Sequence, residues 1–391
     1  MQYLLPFTFF LLLAAEGLGV QFGREITYFL ILFASAILFV HMFFAKKKIV
    51  FPKTLSILFI IFLIFSFIST AFGVNFQKSI EYSFFLVSLF AVFLLSYNFS
   101  SSLEKPLTIL IFTLSFLFSI YYLLLNFHLL NLFIPQNGYQ FVFPFFSSHN
   151  HLGDFLVVPI VICLFYLYNR KNTLPNTCYL ILATCFTVFA FSRSAYFSIA
   201  VCALFLHLDF IIKNQTRVYK LIFRLFILVF IFSSLFFLLA TTKQAEKQPI
   251  SSSVNKYLVE KEGLDKYKEL SASRPEYFRE AFLSIQKHPI LGVGPNNFLY
   301  VSRLYSKNPS QTTETTHNIF LEVLVGQGIL GFLPFAGLIL LILVKSQKNA
   351  LYFAMLAMLI NFQTDYTYQI YSFLLLFFAL AGTLSSEEKP T

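Results

Sequence analysis

Residues 315–345, TTHNIFLEVLVGQGILGFLPFAGLILLILVK, decide how the chain is read. After four polar residues, the run from Ile319 to Val344 holds Glu322 as its only ionisable group. A helix needs about 20 apolar residues to cross a bilayer, so this run reads as a membrane span beginning just after His317-Asn318. Before it, residues 241–316 form the only long charged interval, and apolar runs flank that interval on both sides. The whole chain follows the same pattern: of 391 residues, 58% are hydrophobic, 12% are charged and 55 are Phe, outside the range of soluble globular domains.

Working outward, apolar runs predict twelve spans, at 3–19, 26–44, 54–72, 79–98, 107–125, 149–168, 177–191, 195–212, 221–240, 318–344, 350–364 and 369–384. The expectation is an all-α polytopic membrane protein in three parts: residues 1–240 with spans 1 to 9, a large helical loop over 241–316, and residues 317–391 with spans 10 to 12 and a short tail. Tyr3 to Ala15 lacks a basic leader and a small-residue cleavage site, so it is expected to stay as a span.

Basic residues set the orientation. With the N-terminus inside, the short inner segments carry Lys46 to Lys48, Lys53, Lys105, Arg170, Lys171, Lys213, Arg217, Lys220, Arg224, Lys345, Lys348 and Lys389; the short outer segments carry only Arg24, Lys78 and Arg193. Both termini are then cytoplasmic and the loop lies outside. Long loops translocate largely regardless of charge, so the loop's own Lys and Arg do not oppose this. The net charge of +10 is mostly this topology signal and does not indicate nucleic-acid binding. Cys163, Cys178, Cys185 and Cys202 lie in or beside apolar runs without a CxxC pair, so no disulfide framework is expected.

Within the loop, Ser273-Arg274-Pro275-Glu276 has the form of a capping box, and Phe278, Ala281, Phe282 and Ile285 recur at helical spacing until His288-Pro289. Residues 254–270 are compatible with a further helix, 290–297 read as a compact turn, and 307–316 as a polar, mobile tail.

The candidate site gathers where spans meet this outer side. Arg193 sits in a hinge, Phe191-Ser192-Arg193-Ser194, too short to be a solvated loop, and its guanidinium is suited to phosphate oxygens or to a snorkelling anchor. Arg274 opens a helix whose first-turn N–H groups already favour anions. Arg279 follows little more than a turn later, with pairing to a glutamate as the competing reading. Unperturbed histidine has a pKa near 6.5, so His317 is placed to take a proton from a hydroxyl at neutral pH. Asn318 and Glu322 follow it as candidate substrate contacts.

His149, Asn150 and His151 open another span and suit sugar hydroxyls or helix capping. Together with Asp154 they could instead ligate a metal, but a fourth ligand is missing from the pattern, so no metal is expected. No phosphate-binding loop, dinucleotide fingerprint or nucleophile elbow is present, so a donor on this face should arrive already activated.

Four segments carry a resemblance: 148–153 (SHNHLG), 191–195 (FSRSA), 274–295 (RPEYFREA continuing to HPILGVGP), and 317–331 (HNIFLE followed by GILG). They resemble the O-antigen ligase and O-antigen polymerase superfamily of bacterial membrane glycosyltransferases. That resemblance implies a twelve-span, GT-C-like fold, with transfer of a glycan from undecaprenyl pyrophosphate to an acceptor hydroxyl on a saccharide or lipid core, needing neither metal nor cofactor. By the same resemblance Arg193 and Arg274 hold the pyrophosphate, His317 activates the acceptor, and Tyr277 stands where the family usually has tryptophan. The place implied is the bacterial cytoplasmic membrane, with the site facing the periplasm or cell exterior. Ligase is the favoured reading; polymerase and protein O-oligosaccharyltransferase share these motifs. A lipid-linked glycan transporter is the alternative outside the enzymes, although the paired broken helices often seen in transporters are not evident in the sequence.

Overall fold

The computed structural model describes residues 35–36, 40, 44, 49–126, 149–169, 180, 192–212, 273–306, 312–346 and 348–385. These residues are helical, with no strand among them. In chain order, α1 is Lys53–Ala71, α2 Phe76–Asn98, α3 Ser100–Asn126, α4 His149–Tyr168, α5 Arg193–Ile212, α6 Ser273–Lys287, α7 Phe298–Tyr305, α8 Ile319–Lys345, α9 Ala350–Asn361 and α10 Tyr371–Ser385, with a 3₁₀ turn at Thr367–Gln369. Helices α1 to α5 and α8 to α10 coincide with eight of the expected spans. The other four, at 3–19, 26–44, 177–191 and 221–240, fall wholly or almost wholly outside the described residues, as do loop segment 254–270, Cys178 and Cys185.

Helices α1, α2 and α8 are long and apolar enough to cross a membrane, and α9, α10 and parts of α4 and α5 are shorter apolar helices. The distribution of side chains on α1 explains why such a sequence is stable in lipid. Ile57, Ile60, Ile64 and Ile68 are exposed, whereas Ser66, Ser69 and Thr70 are buried. This inverts the arrangement of a helix in water, because the solvent outside is hydrocarbon and polar groups must find partners within the protein. Ser83 on α2 supplies those partners, at 2.9 Å from Ser66 Oγ and 2.8 Å from Thr70 Oγ1.

The bundle places α1 against α2 and α8, α10 against α2 and α3, and packs α4, α5 and α9 on one another. Phe59 sits among Phe62, Phe90, Phe93 and Phe378, joining α1, α2 and α10. Helices α6 and α7 of the loop pack together and against α8, over a small apolar core of Tyr277, Ala281, Val293, Phe298, Val301 and Val325.

The expected loop helix is present as α6 and ends at His288-Pro289. Its Glu276 pairs with Arg279. Three features differ from expectation. Helix α7 occupies a stretch that carried no prediction, and residues 312–316 are not a solvated tail. Thr315 and Thr316 are buried, with Thr316 Oγ1 donating to the Asn318 carbonyl and the Thr313 N–H donating to Ser302 Oγ. Hydroxyl-rich sequence looks solvated by composition, yet those hydroxyls also bond backbone groups that a fold leaves open.

The third difference is inside α8. Gly328 has φ 62° and ψ −168°, which breaks the helix. In an unbroken helix the N–H groups of Ile329 and Leu330 would bond the carbonyls of Val325 and Gly326. They bond the Pro289 and Ile290 carbonyls instead, while Val325 O and Gly326 O accept from the N–H groups of Val293 and Gly294. A Cβ at Gly328 would overlap the Ile290 carbonyl, and one at Gly292 (φ 66°) would overlap the Val325 carbonyl. The 290–297 turn and the glycine break in α8 therefore form one exchange of hydrogen bonds. It ties the loop to the bundle.

Candidate functional site

The site is built around the start of α8. Asn318 is the N-cap, its Oδ1 accepting from the N–H groups of Phe320 and Leu321 and its Nδ2 donating to the Gln363 carbonyl at 3.3 Å. Such a cap contributes about 1 kcal/mol. Glu322 is buried in the first turn and accepts from the Thr316 N–H at 2.8 Å and the Tyr368 hydroxyl at 3.1 Å. It thus braces the residue before His317 and the 3₁₀ turn.

Held by those bonds, His317 takes a left-handed backbone with φ 56°. For a residue other than glycine this costs about 1–3 kcal/mol, and it persists where the surroundings over-determine it. The ring lies parallel to Tyr277 of α6, 5.5 Å between centroids and 12° between planes, and meets Tyr366 edge-on at 4.9 Å. Its Nδ1 is 4.0 Å from Asp365 Oδ1. That is longer than a hydrogen bond, and pairs of this kind commonly tighten when substrate binds.

Asp365 connects the histidine to the bundle. Its Oδ1 accepts from the Tyr366 N–H at 2.7 Å, and Ser194 Oγ stands 3.2 Å from its Oδ2. Ser194 and Ser192 both reach Asp154 Oδ1 of α4, at 2.7 Å and 2.6 Å. Arg193, the first residue of α5, lies between these two serines. The starts of α5 and α8, the first turns of α4 and the connection between α9 and α10 are thereby joined in one polar cluster, and Tyr277 brings α6 to it.

The remaining predicted residues are placed by their backbones. Arg274 is the second residue of α6, three before Tyr277 and so on the same helical face. His149, Asn150 and His151 open α4, with Asp154 following in its second turn. The side chains of Arg193, Arg274, His149, Asn150 and His151 lie outside the described set. Arg279 is described: its guanidinium donates to both carboxylate oxygens of Glu276, with Nε at 2.9 Å from Oε2, and to the Tyr305 carbonyl. The Glu276 pairing pushes the guanidinium pKa further up. Beside it, Glu280 is fully buried toward Ser302 and Ser306; burial raises its pKa, and those hydroxyls partly counter the rise. Among the described residues no three His, Cys, Asp or Glu side chains form a metal-holding group.

With this geometry in view, residues 178–336 match the family model described as O-antigen ligase. That match supports the O-antigen ligase and polymerase superfamily for this chain. No curated protein matches it. The O-antigen ligase segment takes in Arg193, the loop with α6 and α7, His317 and the break at Gly328, and together with the apolar helices it marks a membrane protein. Asp154 and Asp365 lie outside that segment.

Asp365 and Tyr366 were missed in the sequence. A signal was available: Asn361 to Gln369 is a short polar hinge between two apolar runs, as Phe191 to Ser194 is, and the two fall on the same side under the predicted topology. The sequence offers Asp154 only as a candidate metal ligand beside His149 and His151.

Proposed function

We propose that this O-antigen ligase family member transfers a glycan from undecaprenyl pyrophosphate to an acceptor hydroxyl at the outer face of the bacterial cytoplasmic membrane, by a single inverting displacement that uses no metal. The proposal includes the three-part, twelve-span arrangement with both termini cytoplasmic and loop 241–316 outside. One observation carries the chemistry: His317 is clamped between Tyr277 and Tyr366, with Asp365 at its Nδ1 and with Asp365 also bonded to the serine next to Arg193. A base and a guanidinium-bearing hinge thus share one carboxylate.

In this reading Nδ1 carries hydrogen toward Asp365, so Nε2 is the basic nitrogen and takes the proton of the attacking hydroxyl. Asp365 stabilises the imidazolium that results. Arg193 and Arg274 neutralise the charge growing on the departing pyrophosphate, an interaction stronger in the transition state than in the ground state. His149, Asn150 and His151, which open α4, are assigned to saccharide hydroxyls. Glu322 and Asn318 shape the turn that presents His317, and Arg279 braces α6 against α7.

A transporter would use a broken helix differently. At the break in α8 the freed carbonyls of Val325 and Gly326 are taken by loop N–H groups, which leaves them holding the loop and not an ion or substrate. Polymerase and protein O-oligosaccharyltransferase differ from ligase in the acceptor.

The test is reconstitution with an undecaprenyl pyrophosphate-linked glycan and, in parallel, a core saccharide, a second lipid-linked glycan and a protein acceptor. Product on the core saccharide is expected, unaffected by exhaustive chelation. Arg193→Ala and Arg274→Ala should each lower transfer by about 100-fold or more, with little rescue by Lys, which cannot form the bidentate contact. Near-normal transfer in both Ala variants, or activity restored by one divalent ion after chelation, would overturn this mechanism.

A further inference from the structure

Asp154 has no role in the transfer just described, yet its carboxyl is 2% exposed and sits at the centre of the polar cluster. The contacts there outnumber the hydrogens available. Four oxygen pairs are within reach: Ser192 Oγ with Asp154 Oδ1 at 2.6 Å, Ser194 Oγ with Asp154 Oδ1 at 2.7 Å, the two serine oxygens at 2.8 Å, and Ser194 Oγ with Asp365 Oδ2 at 3.2 Å. Each hydroxyl supplies one hydrogen, so two ionised carboxylates would leave two of these pairs facing each other by lone pairs. In a buried site that is costly.

We propose that Asp154 and Asp365 hold one proton between them through Ser194, which makes Asp154 a positioning residue for His317 and for the Arg193 hinge. With the proton on Asp365 Oδ2, that group donates to Ser194 and Ser194 donates to Asp154. In the alternative form Asp154 donates to Ser194 and Ser194 donates to Asp365. Conversion moves the Asp365 proton to Ser194 Oγ and the Ser194 hydrogen to Asp154 Oδ1, with no net gain or loss. Negative charge then lies on Asp365, opposite His317, at the moment the imidazole becomes charged. The ionisable group opposite the pair is His317 beyond Asp365, and α9 contributes the neutral Asn361; Arg193 on α5 and His149 and His151 on α4 are the titratable or charged residues at the starts of the helices that carry the cluster.

The catalytic consequence rests on the transfer reading, but the shared proton does not, so the experiment has two arms. Infrared difference spectra of the purified full chain in nanodiscs at pH 7, wild type minus Asp154→Asn, are expected to show the carbonyl stretch of a protonated carboxyl group, with its frequency moved in Ser194→Ala. Other buried carboxyls cancel in the difference. Absence of that band overturns the shared proton, and Ser194→Ala against wild type decides the point if Asp154→Asn does not fold. In the second arm, with the undecaprenyl pyrophosphate-linked glycan as donor, Asp154→Asn leaves Asp365 permanently charged. His317 then holds its proton more tightly, and the acid limb of the pH–rate profile moves up by about one unit. A rate lowered equally at all pH values, with the limb unmoved, would reduce Asp154 to a structural support and overturn its positioning role. If wild type transfers nothing, the transfer reading fails while the infrared arm still decides the shared proton.

Discussion

Two residues at the α8 region have a positive φ for opposite ends. His317, just ahead of the helix, has φ 56°, and Gly328, inside it, has φ 62°. At Gly328 the absence of a side chain is what matters, because the space is filled by the Ile290 carbonyl and the N–H groups of Ile329 and Leu330 and the carbonyls of Val325 and Gly326 find loop partners. At His317 a side chain is retained in a conformation that disfavours it, and its neighbours are a carboxylate and two tyrosine rings. Strain kept where glycine would remove it indicates use of the side chain, whereas a break sealed by backbone hydrogen bonds indicates assembly.

The contrast is most easily broken at the glycine. Gly328→Val should cost more than about 4 kcal/mol, since it combines overlap with a forbidden backbone region. The expected outcome is loss of monodisperse protein in detergent chromatography, and a well-folded variant would show that the exchange of hydrogen bonds does not hold the loop.

A smaller but more selective effect is expected at His317. His317→Gly should fold at least as well as wild type, with a thermal midpoint raised by relief of about 1 kcal/mol or more of strain. Its transfer rate should nevertheless fall by about 100-fold or more. His317→Ala should lose the activity and keep the strain, giving a lower midpoint than the glycine variant. Equal midpoints would mean that the left-handed turn stores nothing.

The smallest effect concerns Glu280, buried between α6 and the Ser302 and Ser306 hydroxyls. Burial raises the Glu280 pKa in the folded protein, so its contribution to stability is full below the ordinary carboxylate range and is lost as pH rises through the folded value. Glu280→Gln should remove that part of the pH dependence. The difference in thermal midpoint between variant and wild type should therefore shift in favour of the variant from pH 4 to pH 8, and a constant difference would place Glu280 among solvated groups.

Much of the helical scaffold was legible in the chain. The apolar runs at 54–72 and 79–98 are α1 and α2 within a few residues, and the Ser273 capping signal with the His288-Pro289 stop locates α6. These are local properties of length, hydropathy and capping chemistry. The short α7 was less legible, because eight residues between a turn and a polar stretch carry little periodic signal and the helix is held by packing on α6. Of the site, His317 stood out as a titratable group at the edge of a long apolar run. Asp365 did not, since its importance comes from what it faces.

By itself the sequence determined that this is a helical membrane protein with an O-antigen ligase segment, where its described helices lie, and which polar residues stand at their ends. Bilayer thickness, hydropathy and capping act over a few turns of chain, and so these features can be read from it in order. Only the tertiary structure decided that Asp365 faces His317, that Ser194 joins Asp365 to Asp154, and that Gly292 and Gly328 meet. Those contacts link residues 40 and 171 positions apart in the case of the serine. They arise because buried hydroxyls, carboxylates and broken backbone, denied water by the surrounding hydrocarbon, must be satisfied by whichever partners the packed bundle brings within reach.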